Sequence, residues 1–489
     1  MQRIVASGVI MDSYRPLRGS AEVLPDKRLL DRLAWMVLTF TQQPACTIPQ
    51  ATSSRNSMDA TYDFFKNRRV CPENIVASCL PDTRTNLQGC CRVLAIQDAS
   101  EGNFDTLSQT TGLGYTDGHA TRGLKFHSTL AVRSDGLVAG LLTQQVWTRP
   151  FEAKGRAAKR RQRDAEDKES FRWQDHAQAA RQAVPAEVVL IHVADREGDI
   201  YDWLAAPRPA NTHLLVRVAQ AQRVVVYGPL GQRGHLAEVV AEQALLGQQV
   251  ITVPRADDRP QRQANLSLRV AKVEIQPPKH AKGRRQMPGV EAWIVEAREE
   301  QPPAGSTAVH WRLVTTEPIL SWEQAVQALS EYQLRWRIER FHFVLKSGCG
   351  IERLELSTAE RLANAVAVYS QVAVRIMRLT YLARIEPEAE ASKEFSVEEL
   401  RVLEAEQQRR NKQATGPLRT IREAVRVVAQ MGGHLGRQGD GPPGLKVRWR
   451  GLLALHHRIL GFRLGQSTPL SSTKDRWTDN FPEQRVGIG

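Results

Sequence analysis

Two apolar runs that each end on an aspartate do most to limit what this chain can fold into: VLAIQD at 93–98 and VVLIHVAD at 188–195. Short continuous runs of this kind read as strands buried on both faces, inside a sheet that helices cover. Around them, FHSTLAV and LVAGLLTQQVW read as a hairpin turned at Ser134-Asp135-Gly136, FRWQDHAQAARQAV reads as a helix, and HLLVRVA as a further strand. The order β-β-β-α-β-α-β predicts an α/β fold with a mixed sheet flanked by helices.

The flanks differ from this core. Residues 20–85 read as helical: LPDKRLLDRLAWMVLTF spaces its apolar residues as a helix does, with Lys27, Arg28 and Arg32 on other faces, and SMDATYDFFKNRRV interleaves aromatics with bases. Two readings stand for this part, a small DNA-binding module and a helical cap on the next domain. Residues 222–310 alternate short strands such as VVVYG and LSLRVAKVEI with Gly/Pro/Arg turns, which predicts a β-rich insertion with a basic tip at PPKHAKGRRQMPG. A long helix is expected after it, its start marked by Pro318 and by Ser321-x-x-Gln324, a capping-box spacing. Beyond residue 385 come a charged helix, the Gly-rich QMGGHLGRQGDGPPG and a basic-aromatic helical end.

Lys and Arg number 67 against 53 Asp and Glu, a net charge of +14, so a polyanion is the first partner to consider. Residues 98–221 carry as many acids as bases, and the excess lies outside them. The run AKGRAAKRRQR at 153–163 holds six bases and no acid, and suits either a solvated loop or a phosphate contact. At 42% hydrophobic and 25% charged the chain is an ordinary globular one, which excludes global disorder, collagen and a membrane bundle. Its six cysteines show no C-x-x-C pair, and Cys90 and Cys91 are adjacent, so free thiols in a reducing cytoplasm are expected. The start has no signal-peptide core, and the most apolar later run, Ala363 to Met377, is interrupted by Asn364 and Arg375. A soluble protein with no membrane partner is expected.

Three carboxylates stand out by position: Asp98, expected to end the first strand, Asp195, expected to end the fourth, and Glu339 in the long helix. Taken singly, each reads as a cap or a surface acid. Taken together they are the oxygen donors that hard divalent cations take, and two such ions about 4 Å apart can activate one oxygen and stabilise another. At about 100° per residue, Tyr332, Arg335, Glu339 and Lys346 fall within about 60° of one another on a continuous helix, opposite Leu334, Ile338, Phe341 and Leu345. A solvated face is the usual explanation of such a stripe. A phosphate-bearing substrate beside a metal ligand is the other.

The run YQLRWRIERFHFVLK, Tyr332 to Lys346, has the form Y-x2-R-x3-E-x6-K. It resembles the signature of the DDE transposases of bacterial insertion sequences, most closely the insertion-sequence-four family and its group containing the transposon-five transposase. ATYDFFKNRRV, VLAIQD, LGYTDGHATRGLKFHSTLAV, WTRP, VADREGDIYDWL, LLVRV and HWRLVTTEP resemble family blocks in the family's order, over residues 20–380, with a weaker echo in QMGGHLGR.

The resemblance implies a ribonuclease-H-like catalytic fold in which Asp98, Asp195 and Glu339 form the acidic triad and hold two Mg²⁺, with Mn²⁺ able to substitute. It implies hydrolytic cleavage of the transposon end, a hairpin on the opposite strand, its reopening, and joining of the 3′ end to target DNA, each a phosphoryl displacement that rests on positioning and charge neutralisation. By the same resemblance Trp311 is the stacking platform for a flipped base and Trp336 assists it. Tyr332, Arg335 and Lys346 hold phosphates, Arg217 lies near the cleaved end, and Arg28 and Arg32 contact DNA. Where the family carries further bases, this chain has Leu29 and Ala219, and Ala99-Ser100 replaces the family's threonine pair. The implied partners are double-stranded DNA, as transposon ends and target, and a second copy of the chain, in bacterial cytoplasm at the nucleoid. The implied domains are a helical DNA-binding domain at 1–90, a catalytic core in two parts at 91–221 and 311–385, the insertion at 222–310 and a helical dimerisation domain at 386–489. Two alternatives are kept: a ribonuclease-H-like nuclease that cuts without joining, and a catalytically silent DNA-binding inhibitor.

Overall fold

A computed structural model describes residues 23–24, 26–52, 54–117, 121–151, 171–253, 260–279, 284–413, 416–437 and 439–467. The basic run at 153–163 and residues 280–283 of the insertion's basic tip lie outside them. The chain divides into two compact units, Arg15–Pro387 and a second that contains Glu388–Gly489.

The first unit opens with helices α1 (Lys27–Gln42), α2 (Ile48–Ala51), α3 (Arg55–Lys66) and α4 (Pro72–Asn86). Their starts are written in side chains: Asp26 accepts from the Arg28 amide, Thr47 and Gln50 form a capping box, and Ser54 accepts from Ser57. On α1, Leu29, Leu33, Met36, Val37 and Phe40 are buried, while Arg28 is exposed one turn before the half-buried Arg32.

The sheet then begins with β1 (Arg92–Asn103), β2 (Gly114–Tyr115), β3 (Arg122–Arg133) and β4 (Val138–Trp147), followed by α5 (Arg172–Ala183), β5 (Val189–Ala194), α6 (Tyr201–Ala205) and β6 (Thr212–Arg217). β3 runs antiparallel to both β1 and β4, with Gly136 supplying the positive φ of the turn between β3 and β4. β5 lies parallel to β1, and β6 parallel to β5. The middle strand β5 is largely apolar because both faces are covered: Leu190, Ile191, Val193 and Ala194 are all buried, and the one polar side chain among them, His192, is buried with them.

Next come β7 (Val224–Tyr227), β8 (Gln232–His235), α7 (Leu236–Ala241), β9 (Gly247–Val253), β10 (Arg262–Ile275), β11 (Val290–Glu299) and β12 (His310–Thr315). The stretch expected as an insertion is β-rich, and it continues the same sheet. β12 pairs antiparallel with β6, β11 with β12, and β10 with β11, giving one 12-stranded, mostly antiparallel sheet. The unit closes with α8 (Trp322–Gln333), α9 (Trp336–Phe343) and α10 (Ala359–Ile385). The apolar stretch of α10 is explained by burial, from Leu362 to Met377 with few breaks; within it Asn364 donates to the carbonyls of Phe65 and Val70. Among the described residues no helix is long and apolar enough to cross a membrane.

The second unit holds α11 (Val397–Arg410), α12 (Ile421–Met431) and α13 (Leu445–Ser467). Capping boxes start α11 at Ser396/Glu399 and α12 at Thr420/Glu423. One glycine of QMGGHLGR, Gly432, has a packing reason here, and Gly451 on α13 answers it. A Cβ on Gly432 would stand 1.7 Å from the Val447 carbonyl oxygen, and one on Gly451 1.9 Å from that of Val428, so α12 and α13 meet backbone to backbone.

Candidate active site

Asp98 does not end its strand. β1 pairs with β5 only over Arg92–Ile96 and then continues along β3 alone, through Asp98↔Ser128 to Asn103↔Gly123. The reason is that β5 stops at Ala194, where Asp195 turns the chain into a 3-10 turn (Arg196–Gly198) and its carboxylate accepts from the Glu197 amide at 2.8 Å. Both aspartates therefore stand at the carboxyl end of the parallel pair β1/β5, where open α/β sheets place their ligands.

Asp98 is enclosed, its side chain 15% exposed. Burial, then the charge of Asp195, then those of Glu197 and Glu339 push its carboxyl up to about 8, against the opposing pull of Arg335. Its Oδ1 accepts from the Ala99 amide at 3.0 Å, so the Ala99-Ser100 replacement leaves this carboxylate anchored by backbone. His342 Nδ1 lies 3.7 Å from Oδ2. Burial drives the His342 imidazole down to about 3, so it is neutral at ordinary pH and this contact is not an ion pair.

The long helix expected here is broken. α8 ends at Gln333, the Leu334 and Arg335 amides bond three residues back to Glu331 and Tyr332, and α9 begins at Trp336. After Phe343 the backbone widens into a π turn, Val344–Gly348, that carries Lys346. The four signature side chains thus do not form one solvated stripe. Tyr332 and Arg335 are buried, Glu339 is about one-third exposed and ion-paired with Arg335, and Lys346 lies 3.8 Å from Glu352. Burial works against the Arg335 guanidinium, yet Tyr332 and Glu339 hold its pKa above the ordinary value. Its Nε is buried with no hydrogen-bond partner.

Trp311, on β12, stands edge-on to Tyr332 with ring centroids 5.6 Å apart. Trp336 is 51% exposed, and the Arg335 guanidinium lies 5.5 Å from its ring. Arg217, at the end of β6, donates to the His310 carbonyl at 3.3 Å. Ala219, where another base was expected, gives its amide to Asp199 at 2.8 Å, and Asp199 pairs with Arg223 at 2.7 Å; this loop is an internal ion pair and not a basic cluster. Arg28 and Arg32 lie on α1, with Arg32 4.9 Å over the Trp35 ring of its own helix. Leu29, in place of another base, belongs to the core of α1.

Sequence reasoning singled out neither Glu197 nor His342. Glu197 has its own carboxyl raised by burial and by Asp195; the acid-rich spacing of DREGD after a buried strand is the signal that could have flagged it. Nothing local marks His342, whose burial comes from the sheet beneath it.

Around Asp98 the charges of Asp195, Glu197 and Glu339 raise its pKa, while Arg335 opposes them and the neutral His342 imidazole lies beside it; the carboxylate oxygens among these are the donors a hard cation takes. As they stand, Glu339 is engaged by Arg335 and Asp195 by its turn, and among the described residues no group of three His, Cys, Asp or Glu side chains is arranged to hold a metal ion.

Residues 20–70 match the family model "Transposase DNA-binding", and residues 371–471 match "Transposase Tn5 dimerisation domain". Among solved structures, the cryo-EM structure of the piggyBac transposase synaptic complex with hairpin DNA aligns over 94% of this chain and 79% of that one, at 9% identity and a TM-score of 0.34, too weak a likeness to bear on the fold. The acid cluster lies between two stretches that match transposase families independently, and those two matches support a DNA transposase of the Tn5 type.

Proposed function

We propose that this chain is a cut-and-paste transposase of the insertion-sequence-four kind. As a dimer it binds the terminal inverted repeats of its element, nicks and excises them through a hairpin, and joins the 3′ ends to target DNA. What supports this is the pair of transposase matches on either side of the sheet in sequence, together with Asp98 and Asp195 at the carboxyl end of the β1/β5 pair. The sheet order β4-β3-β1-β5-β6, antiparallel over the first three and parallel over the last three, suits a ribonuclease-H-like core.

Asp98, Asp195 and Glu339 would hold Mg²⁺, or Mn²⁺ in its place, once Glu339 exchanges Arg335 for the cation. Such ions supply a polarised attacking oxygen and charge neutralisation at the leaving one. The chain's own side chains do the rest. Arg335, beside Glu339, would meet a phosphate, and Lys346 would support it from the π turn. Trp311 offers a ring to an unstacked base, worth about 1–3 kcal/mol per base, enough to offset a flip of about a few kcal/mol. Arg28 and Arg32 meet the DNA backbone farther along the end.

The test is purified full-length chain with Mg²⁺ and an end-labelled duplex that carries the terminal repeat of its own element, followed on denaturing gels. Nicks, hairpins and joined products are expected in that order. Nicks without hairpins or joining would make the protein a nuclease, and tight binding with no cleavage would make it a silent inhibitor. In the same assay Trp311→Ala is expected to lose hairpin formation and keep first-strand nicking.

A further inference from the structure

Behind Trp311 lies a buried carboxylate that the reaction above does not use. Glu296, on β11, is 1% exposed, and its Oε1 accepts from His310 Nε2 at 2.9 Å and from Arg312 Nε at 2.7 Å. Its two partners are the residues on either side of Trp311. Burial opposes the charge, yet the hydrogen bonds from His310 and Arg312 keep this carboxyl below the ordinary range. Alternation along a strand sends His310 and Arg312 to one face of the sheet and Trp311 to the other, where it meets Tyr332.

The sheet explains why such a clamp is needed at this point. β6 pairs with β12 only over Leu313–Thr315, opposite Arg217–Leu215. Upstream of that, β12 keeps β11 as its only strand partner, with Trp311 opposite Ala297, and from the β6 side it receives single bonds, Val218 amide to Arg312 carbonyl at 2.8 Å and Arg217 to His310 carbonyl at 3.3 Å. Trp311 thus sits where β12 has a continuous ladder on the β11 side, which ends at the Glu299 amide to Val309 carbonyl bond of 2.8 Å, and only those single bonds on the other. A base-stacking ring needs a plane held still before the base arrives.

We infer that Glu296 is a positioning residue for base stacking: through His310 and Arg312 it rivets the start of β12, where the β6 ladder has ended, and so fixes the plane of Trp311 against Tyr332. This rests on the transposase reading above, and on the stacking role of Trp311 within it.

Glu296→Gln keeps the side-chain shape and removes the charged acceptor. With the end-labelled duplex carrying 2-aminopurine at the base next to the cleaved end, this variant is expected to slow hairpin formation about tenfold while first-strand nicking stays within about twofold. Loss of 2-aminopurine quenching on pre-nicked DNA should accompany the slowing. Arg312→Ala, at a position only partly buried, should show the same split, and Arg312→Lys, which keeps the charge, a smaller one; these decide the matter should Glu296→Gln fail to fold. Equal slowing of nicking and hairpin formation, or no change in either, would overturn the inference and leave Glu296 a stabilising ion pair. If Trp311→Ala itself forms hairpins normally, the stacking role falls first, and the role of Glu296 falls with it.

Discussion

Asp98 in the sheet unit and Glu406 in the C-terminal unit are both carboxylates withdrawn from water, with side chains 15% and 3% exposed. Their protonation runs in opposite directions. Asp98 is pushed up to about 8 by burial and then by other acids. Glu406 is held down at about 2, first by hydrogen bonds from Arg409, with Arg410 and Arg458 adding to it. Burial alone therefore does not settle the charge state; the neighbours do. A buried acid enclosed by bases is a fixture of the fold. One enclosed by acids is a destabilised group, and such groups mark places where a ligand or a reaction supplies the missing charge.

The largest effects should come from the acid-enclosed side. On the proposed metal-dependent reading, Asp98→Ala, Asp195→Ala and Glu339→Ala are each expected to lower cleavage of the terminal-repeat duplex by at least about a hundredfold, because each would forfeit several kcal/mol of charge stabilisation. End binding should stay within a few-fold in a gel-shift assay, since it rests on bases elsewhere. Full cleavage and joining by any of the three would break the comparison, because Asp98 would then be strained without a purpose.

Glu406→Gln should act on stability instead. It strands Arg409, Arg410 and Arg458 around a neutral amide, but these arginines are 65%, 36% and 38% exposed and water screens them. A loss of about 1–3 kcal/mol is expected, below the range for a fully buried pair, and would be read from denaturant melts of the full chain. The pH dependence sharpens the contrast. Glu406 titrates near 2 when folded against an ordinary 4.5, so its contribution is fully present above 4.5 and fades as the pH falls from 4.5 towards 2. The Glu406→Gln chain should lack that part of the acid sensitivity. An identical acid slope in both chains would mean that the arginine cluster does not hold Glu406 in solution.

Much of the sheet side was legible in the sequence, because it is written in local patterns. Apolar runs ending on acids located β1 and β5, Ser134-Asp135-Gly136 located the turn between β3 and β4, and Ser321/Gln324 located the start of α8. What could not be read is set by distant partners. YQLRWRIERFHF contains no Gly or Pro to interrupt a helix, and the break at Leu334–Arg335 accompanies the packing of Tyr332 against Trp311 and the pairing of Arg335 with Glu339. The joining of β12 to β6 brings together residues about a hundred positions apart, which no window of periodicity sees. Nothing local marks Glu296, and only the pairing of β11 with β12 shows it between His310 and Arg312.

The smallest effect tests the destabilised side directly. In a chelating buffer, with no cation to offset the crowding, Asp98→Asn removes the charge and keeps the shape. Because the folded pKa of Asp98 lies above its unfolded value, the aspartate favours the folded state fully below about 4 and progressively less as the pH rises through about 8. The Asn chain does not titrate, so its advantage over the native chain should be absent at pH 4 and grow towards pH 8, read from denaturant melts of both chains across that range. Added Mg²⁺ should narrow the gap by stabilising only the native chain. A gap that is constant with pH, or an Asn chain less stable at pH 8, would mean that the neighbouring acids do not outweigh Arg335 at Asp98, and the contrast with Glu406 would fall.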